Sequence, residues 1–480
     1  MKNNPNVKKE KALTSISFKS FLSVVIILVV MIAFCGILSF IVPQGHFARN
    51  ANGEVIAGSF VQGEVKGIAF WRIISAPFRV FFADGGITII MISLFLLVMS
   101  GVFNLLDKTN GLKVIMSRML SKFGKKRRIV LCIGILFFML FGSFFGLFEE
   151  LVTLLPFVTM LMLSLGYDTM TSLGVCMLSA CFGFSAAITN PFSIGIASNL
   201  AGISTTNGVW LRIIFFLLVY GIVCAFILLY TNKISKNPKA SLSYENDQKR
   251  VESLNFDIHD NSINEKKIFK VYSIFFIIQF VVLTAVALIR PISGYAIPIL
   301  MATFLIGGII AGLFVVEDKK QVFIHLGKGA LSMLPAVLLI ALASSVNLVM
   351  QESGILDTIM NAVINFLSDK SVFVCALSIY LLILLLQVFI GSASAKIFLV
   401  MPILLPICGV VGISPTLLIL IYCMADGFSD VFLPTNPVLL IGLSMSNVSY
   451  GKWVKWTWKI QLAVFILSLL IILFGISIGF

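Results

Sequence analysis

Long apolar runs separated by short polar stretches set the pattern of this chain. The first occupies residues 21–42, and others fall at roughly 86–106, 169–199, 211–230, 271–289, 294–316, 330–350, 416–446 and 459–479. Each approaches or exceeds the roughly 20 residues that carry a helix across a hydrocarbon core. The run at 21–42 is longer than a signal-peptide core and continues into IVPQGHF rather than a small-residue cleavage site, so it reads as a retained span. Two stretches, 129–165 and 371–411, are too long for one crossing and are interrupted by GSFFGLFEE and GSASAK. Each is expected to form a re-entrant hairpin that enters and leaves on one side. The pattern predicts an all-α polytopic membrane protein with about nine crossings plus two hairpins.

The polar stretches divide this array. Residues 1–20 form a polar tail, and 231–270 form a linker of mixed charge, expected to be flexible. The linker separates 21–230, with hairpin 129–165, from 271–480, which holds an extra span at 271–289 and hairpin 371–411. The two parts read as repeats. Thr189-Asn190-Pro191 recurs as Thr435-Asn436-Pro437, 246 residues later. At that offset Gly166 also matches Gly412, Pro156 matches Pro402, and Glu150 stands opposite Lys396. NLLDKTNGL from Asn104 matches NLVMQESGI from Asn347 at an offset of 243.

Charge sets the orientation. Hydrophobic residues make up 59% of the chain and charged residues 12%, half the share usual in soluble domains. Mean hydropathy is +1.06. A net charge of +14 would suit a nucleic-acid partner, but 27 of the 35 lysines and arginines lie in 1–20, 107–128, 231–270, 317–328 and 447–459. Alternating crossings put all five segments on one side, which the positive-inside bias makes cytoplasmic. The expected location is the cell (cytoplasmic) membrane, with the lipid bilayer as partner, no nucleic acid, a cytoplasmic N-terminus and an external C-terminus. The two repeats then face opposite ways. The eight cysteines lie in apolar segments and read as small buried hydrophobes. His46, His259 and His325 fall in expected loops, so no metal site, cofactor or nucleophile–base set is visible.

Inverted repeats with helices broken at mid-membrane mark secondary transporters. Proline lacks the helical N–H and disfavours helical geometry in the residue before it, so each Asn-Pro should break its helix. Broken backbone survives at membrane depth only where protein or a water-filled cavity satisfies it. Thr189, Asn190, Thr435 and Asn436 are therefore candidate substrate contacts, with a Na⁺ site near Asn190 and Asn436. Charges at that depth are costly and mark function. Glu149, Glu150, Lys396, Asp426 and Asp430 join the candidates, with Ser392 and Ser394 at the second hairpin tip. Lys396 is expected to hold a substrate carboxylate or to pair with an acid. Asp426 and Asp430, four apart, should share a proton or a cation. Four acids against one base favour a substrate with a cationic group, an amino acid before a dicarboxylate. A channel would call for pore-lining rings instead.

The motifs IVPQGHFARNANGEVIAGSF, FGSFFGLFEE, LGYDTMTSLGV, SAAITNPFSIGIAS, GSASAKIFLVMPILLP, ADGFSDVFLPTNPVLL and YGKWVKW extend over nearly the whole chain. They resemble the YfcC branch of the C4-dicarboxylate anaerobic carrier family, in the ion-transporter superfamily. The resemblance implies two inverted repeats, each with a hairpin and an interrupted helix, and substrate with Na⁺ held between hairpin tip and break. It also implies a homodimer, and a small carboxylate-bearing substrate: an amino acid, with arginine/ornithine-type antiport, or a dicarboxylate, coupled to Na⁺, H⁺ or a counter-substrate.

Overall fold

The computed structural model describes residues 18–49, 58–83, 86–111, 126–148, 151–254, 263–288, 295–367 and 370–480, with a few isolated positions between them. Among these residues seven helices are long and apolar enough to cross a membrane: Ile89–Lys108, Arg127–Phe145, Val209–Lys236, Pro298–Val315, Lys319–Ser353, Val372–Phe389 and Tyr450–Ser477. Shorter apolar helices include Val25–Leu38, Leu155–Ser164 and Pro437–Ser446. Two-residue strands, Gly45–His46 and Val61–Gln62, pair antiparallel, so His46 lies in a strand.

The expected crossings at 169–199 and 416–446 are both interrupted. In the first, helix runs from Thr169 through a π-helical turn, Gly174–Leu178, to Ser185, and restarts at Pro191. In the second, Pro415–Phe428 passes into a 3-10 turn, Ser429–Val431, and helix restarts at Pro437. The same local chemistry starts both. Gly166 and Gly412 take left-handed φ values of +78° and +89°, which glycine alone adopts freely, and end the preceding helices. Two residues on, Asp168 accepts from Thr171 N at 2.8 Å and Ser414 accepts from Leu417 N at 3.0 Å, capping the new helices.

These two interrupted helices cross at the centre of the fold with little between them. Cys181 Sγ donates to the Gly427 carbonyl at 2.8 Å, Ser185 Oγ donates to the Met424 carbonyl at 3.1 Å, and the rings of Phe182 and Phe428 meet edge-on at 6.4 Å. A side chain on Gly427 would collide with the Ser185 backbone. The helix Arg127–Leu140 and the π-turn after it approach equally closely, since Cβ atoms on Gly142 and Gly183 would collide with the carbonyls of Ala180 and Met139.

Two expectations change. The stretch 317–328 was expected as a loop, but Asp318 caps a helix, Lys319–Ser332, that lies along Gly86–Lys108. Ser100 Oγ donates to the Gly329 carbonyl at 2.8 Å and Asn104 Nδ2 to that of His325 at 2.7 Å, so His325 sits in a helix. Val322, Leu326 and Gly329 recur at helical spacing, and Gly101 and Gly329 let the two backbones pass closely: a Cβ on Gly329 would collide with the Ser100 carbonyl. The linker is also ordered over much of its length. Val209–Lys236 runs into it, and a helix, Tyr244–Leu254, folds back over the ends of both interrupted helices. Buried Asp247 accepts from Thr169 N at 2.9 Å, from the Thr169 hydroxyl, and from Ser243 Oγ at 2.6 Å. Arg250 donates to Thr169 Oγ1 at 3.2 Å and to the Met445 carbonyl at 3.3 Å, and Asn246 Nδ2 donates to the Asn447 carbonyl at 3.1 Å. Asp168 receives Ser241 Oγ at 2.6 Å and Tyr230 Oη at 2.5 Å. Residues 255–262 lie outside the described residues, and 263–270 open the helix Ile263–Leu288.

Burial raises the Asp247 carboxyl above its usual 3.8, with Asp168 adding to the rise and the Ser243 and Thr169 donors opposing it. A carboxyl raised on docking binds its proton more tightly docked than free, so docking strengthens as pH falls and loses that gain as pH rises through the raised value. Amide exchange across 244–254, corrected for its intrinsic rate, should slow as the medium is acidified, and Asp247→Asn should remove that dependence.

Candidate functional site

At the first break the turn that follows Arg127–Leu140, called the tip below, closes onto the interrupted helix. The Ser143 carbonyl accepts from the amides of Ile188 at 3.1 Å, Thr189 at 3.4 Å and Asn190 at 3.2 Å. Ser143 Oγ donates to the Ala186 carbonyl at 2.6 Å. Thr189 Oγ1 reaches the Phe144 carbonyl at 3.2 Å while the residue stays exposed. Gly146, at φ +69°, lets the tip pass so close to Asn190 that a Cβ there would collide with Asn190 Oδ1. That oxygen accepts from Phe192 N at 2.9 Å and restarts the helix. Asn190 Nδ2 is buried and has no partner among the described residues. Glu149 and Glu150 fall outside those residues.

The second break uses the same cap. Asn436 Oδ1 accepts from Val438 N at 2.9 Å and Leu439 N at 3.3 Å. Its tip differs: Gly391 and Ser392 are exposed, and Ser392 Oγ only caps its own helix, accepting from Ala395 N at 3.4 Å. Ser394 lies in the first turn of that helix, Ala393–Val411, and Thr435 is buried beside Asn436. Tyr422 Oη holds the start of Ala393–Val411, donating to the Ala393 carbonyl at 2.7 Å. Carbonyls freed before the break find donors on the following helix. Trp453 Nε1 reaches Val431 O at 2.5 Å and Tyr450 Oη reaches Phe432 O at 2.7 Å.

Between this tip and break lies a buried cluster of charged and polar side chains. Lys396, 0% exposed, forms a salt bridge with Asp426, 1% exposed. Of the two expected roles, this structure shows Lys396 paired with an acid, Asp426. Asp430, four residues on, is approached by a different set of donors. Asp430 Oδ1 accepts from Gln387 Nε2 and, at 2.8 Å, from Asn436 Nδ2. Asp426 Oδ2 and Gln387 Oε1 are buried with no donor among the described residues. The cluster therefore gathers one cation, two carboxylates and two spare acceptor oxygens. Sequence reasoning passed over Gln387, a single amide in a run of leucines. It also passed over Arg212, buried near the start of Val209–Lys236, whose Nη1 donates to the Ile188 carbonyl at 2.8 Å.

Breaking the Lys396–Asp426 pair leaves an uncompensated buried charge, at a cost of about 3–5 kcal/mol. Lys396→Gln and Asp426→Asn should each lower the melting temperature of the purified protein, and the double variant should recover most of the loss. Additive losses in the double variant would mean that the two side chains act separately.

A match to the C4-dicarboxylate anaerobic carrier family spans residues 20–477. An uncharacterized protein of Haemophilus influenzae is 28% identical over 378 residues, 78% of this chain and 72% of the relative. YfcC of Escherichia coli, which carries the provisional name of a basic amino acid antiporter, is 26% identical over 413 residues, 80% and 77% of the two chains. Two solved structures align over nearly the full length. They are the Alcanivorax borkumensis YdaH transporter (16% identity, 96% and 98% coverage, TM-score 0.42) and Neisseria gonorrhoeae MtrF (14%, 94% of each, TM-score 0.43). The chain is a membrane transporter that belongs to the C4-dicarboxylate anaerobic carrier family, in its YfcC-type branch.

Proposed function

We propose that this transporter is a secondary carrier that exchanges basic amino acids by alternating access of two inverted repeats. The observation that carries the substrate reading is the cluster of the second half. Lys396 and Asp426 cancel, Asp430 adds one negative charge whenever it is ionised, and Asp426 Oδ2 and Gln387 Oε1 await donors. A substrate ammonium or guanidinium, or a coupling Na⁺ or H⁺, meets both needs, because a buried carboxylate is tolerated only when paired. Asn190 Nδ2, a buried donor without a partner, suits a carboxylate. An amino acid offers both ends. The provisional name of the Escherichia coli relative agrees with this reading.

The two-fold relation of the halves is supported at their crossing. Cys181 touches Gly427 and Phe182 touches Phe428, and each pair is separated by the same 246 residues as the Thr-Asn-Pro motifs. Positions related by a two-fold meet each other only at the axis. Alternating access is supported by the unequal tips, the first bonded to its break and the second exposed. A dicarboxylate is the second reading, favoured by the family's description.

Proteoliposomes loaded with unlabelled ornithine test the proposal. Uptake of labelled arginine should be saturable and accelerated by internal ornithine, and Asp430→Asn should weaken it roughly tenfold, the equivalent of about 1.4 kcal/mol. Fumarate or succinate uptake with no amino acid exchange would replace the first reading with the second.

A further inference from the structure

Arg212 is a buried charge to which the proposed cycle gives no task. It is 4% exposed, and no Asp, Glu or terminal carboxylate among the described residues lies within ion-pairing distance of it. Its partners are three main-chain carbonyls: Ile188 at 2.8 Å from Nη1, and Thr205 at 2.5 Å and Asn207 at 2.9 Å from Nη2. Guanidinium has five N–H donors and is not deprotonated in proteins, so two donors and the full charge are left over. Carbonyl dipoles orient the group without neutralising it. A small cleft adjoins it, lined also by Ser198, Asn207, Thr416, Ile419 and Phe480, with free space of about 10 Å³. That is close to the lower bound for one water-sized occupant.

We propose that this cleft is an anion site in which Arg212 takes a halide ion or the end of a single carboxylate group. The buried charge calls for a negative partner, the spare donors give it direction, and the space limits it to something small. The same guanidinium holds the Ile188 carbonyl, one residue before Thr189-Asn190-Pro191, so a bound anion would fix the geometry of the first break. The site makes no demand on which solute is carried.

Melting of the purified protein in chloride, in acetate and in gluconate, an anion too bulky for the cleft, tests this. Chloride or acetate should give a saturable rise of a few degrees beyond that in gluconate. A response to chloride identifies a halide site, and a response to acetate alone identifies a carboxylate site. Arg212→Gln should abolish the response. Because that variant also frees three carbonyls and can fail to fold, Thr416→Asp provides the second arm. A carboxylate placed in the cleft should replace the anion, holding the melting temperature at or above the wild-type value and removing the response. A wild-type response equal in all three salts, or a full response retained in Thr416→Asp, would overturn the proposal.

Discussion

The rest of the interior depends on one constraint: main-chain groups released at a helix break inside a membrane have no water to bond. Every such group must find a donor or acceptor in the protein or lining a cavity. In the first half the Ser143 carbonyl takes three amides at once and Arg212 takes the Ile188 carbonyl. In the second, Trp453 and Tyr450 reach back to Val431 and Phe432. In both, the asparagine amide oxygen restarts the helix. The long helix after each break, Val209–Lys236 or Tyr450–Ser477, supplies a side-chain donor for what the break left open. The chemistry differs, a guanidinium in one and an indole with a phenol in the other, but the task is the same.

With the breaks satisfied alike, the halves are free to differ in charge. The positions 246 residues before Asp426 and Asp430 are Ala180 and Phe184. One half packs alanine and phenylalanine where the other holds carboxylates. The first half answers with a tip closed on its break, and the second with a tip left exposed over its polar cluster. The polar cluster and the exposed turn thus lie in the same half.

What was legible in the sequence was whatever depends on local chemistry. Asn-Pro breaks a helix wherever it falls. That signal located both breaks, and runs of apolar residues located the long helices, whereas the caps of Asp168 and Ser414 two residues after a left-handed glycine were not read. What depends on three-dimensional partners was not legible. Nothing near Lys396 in sequence points to Asp426, thirty residues on, and the acid it would pair with stayed open. Arg212 reads as one more basic residue at a helix end until its three carbonyls converge on it. The polar composition of 238–254 reads as a solvated linker, because the donors that hold Asp247 come mainly from Thr169. Helix 319–332 was hidden for the opposite reason, its charged start outweighing the small residues that let it pack.

On the proposed function, an ionised Asp430 gives the region beside the second break a surplus negative charge with an electrical meaning. With a monovalent cationic partner in place the cluster of Lys396, Asp426 and Asp430 carries no net charge, and without it the cluster carries one. A membrane potential acts on net charge that moves, by about 2.3 kcal/mol per elementary charge for each ~100 mV. If the cluster travels with its cargo, voltage is nearly silent on the loaded stroke and falls on the empty return. The lone unmatched carboxylate, Asp430, would then decide which half of the cycle a cell's resting potential drives.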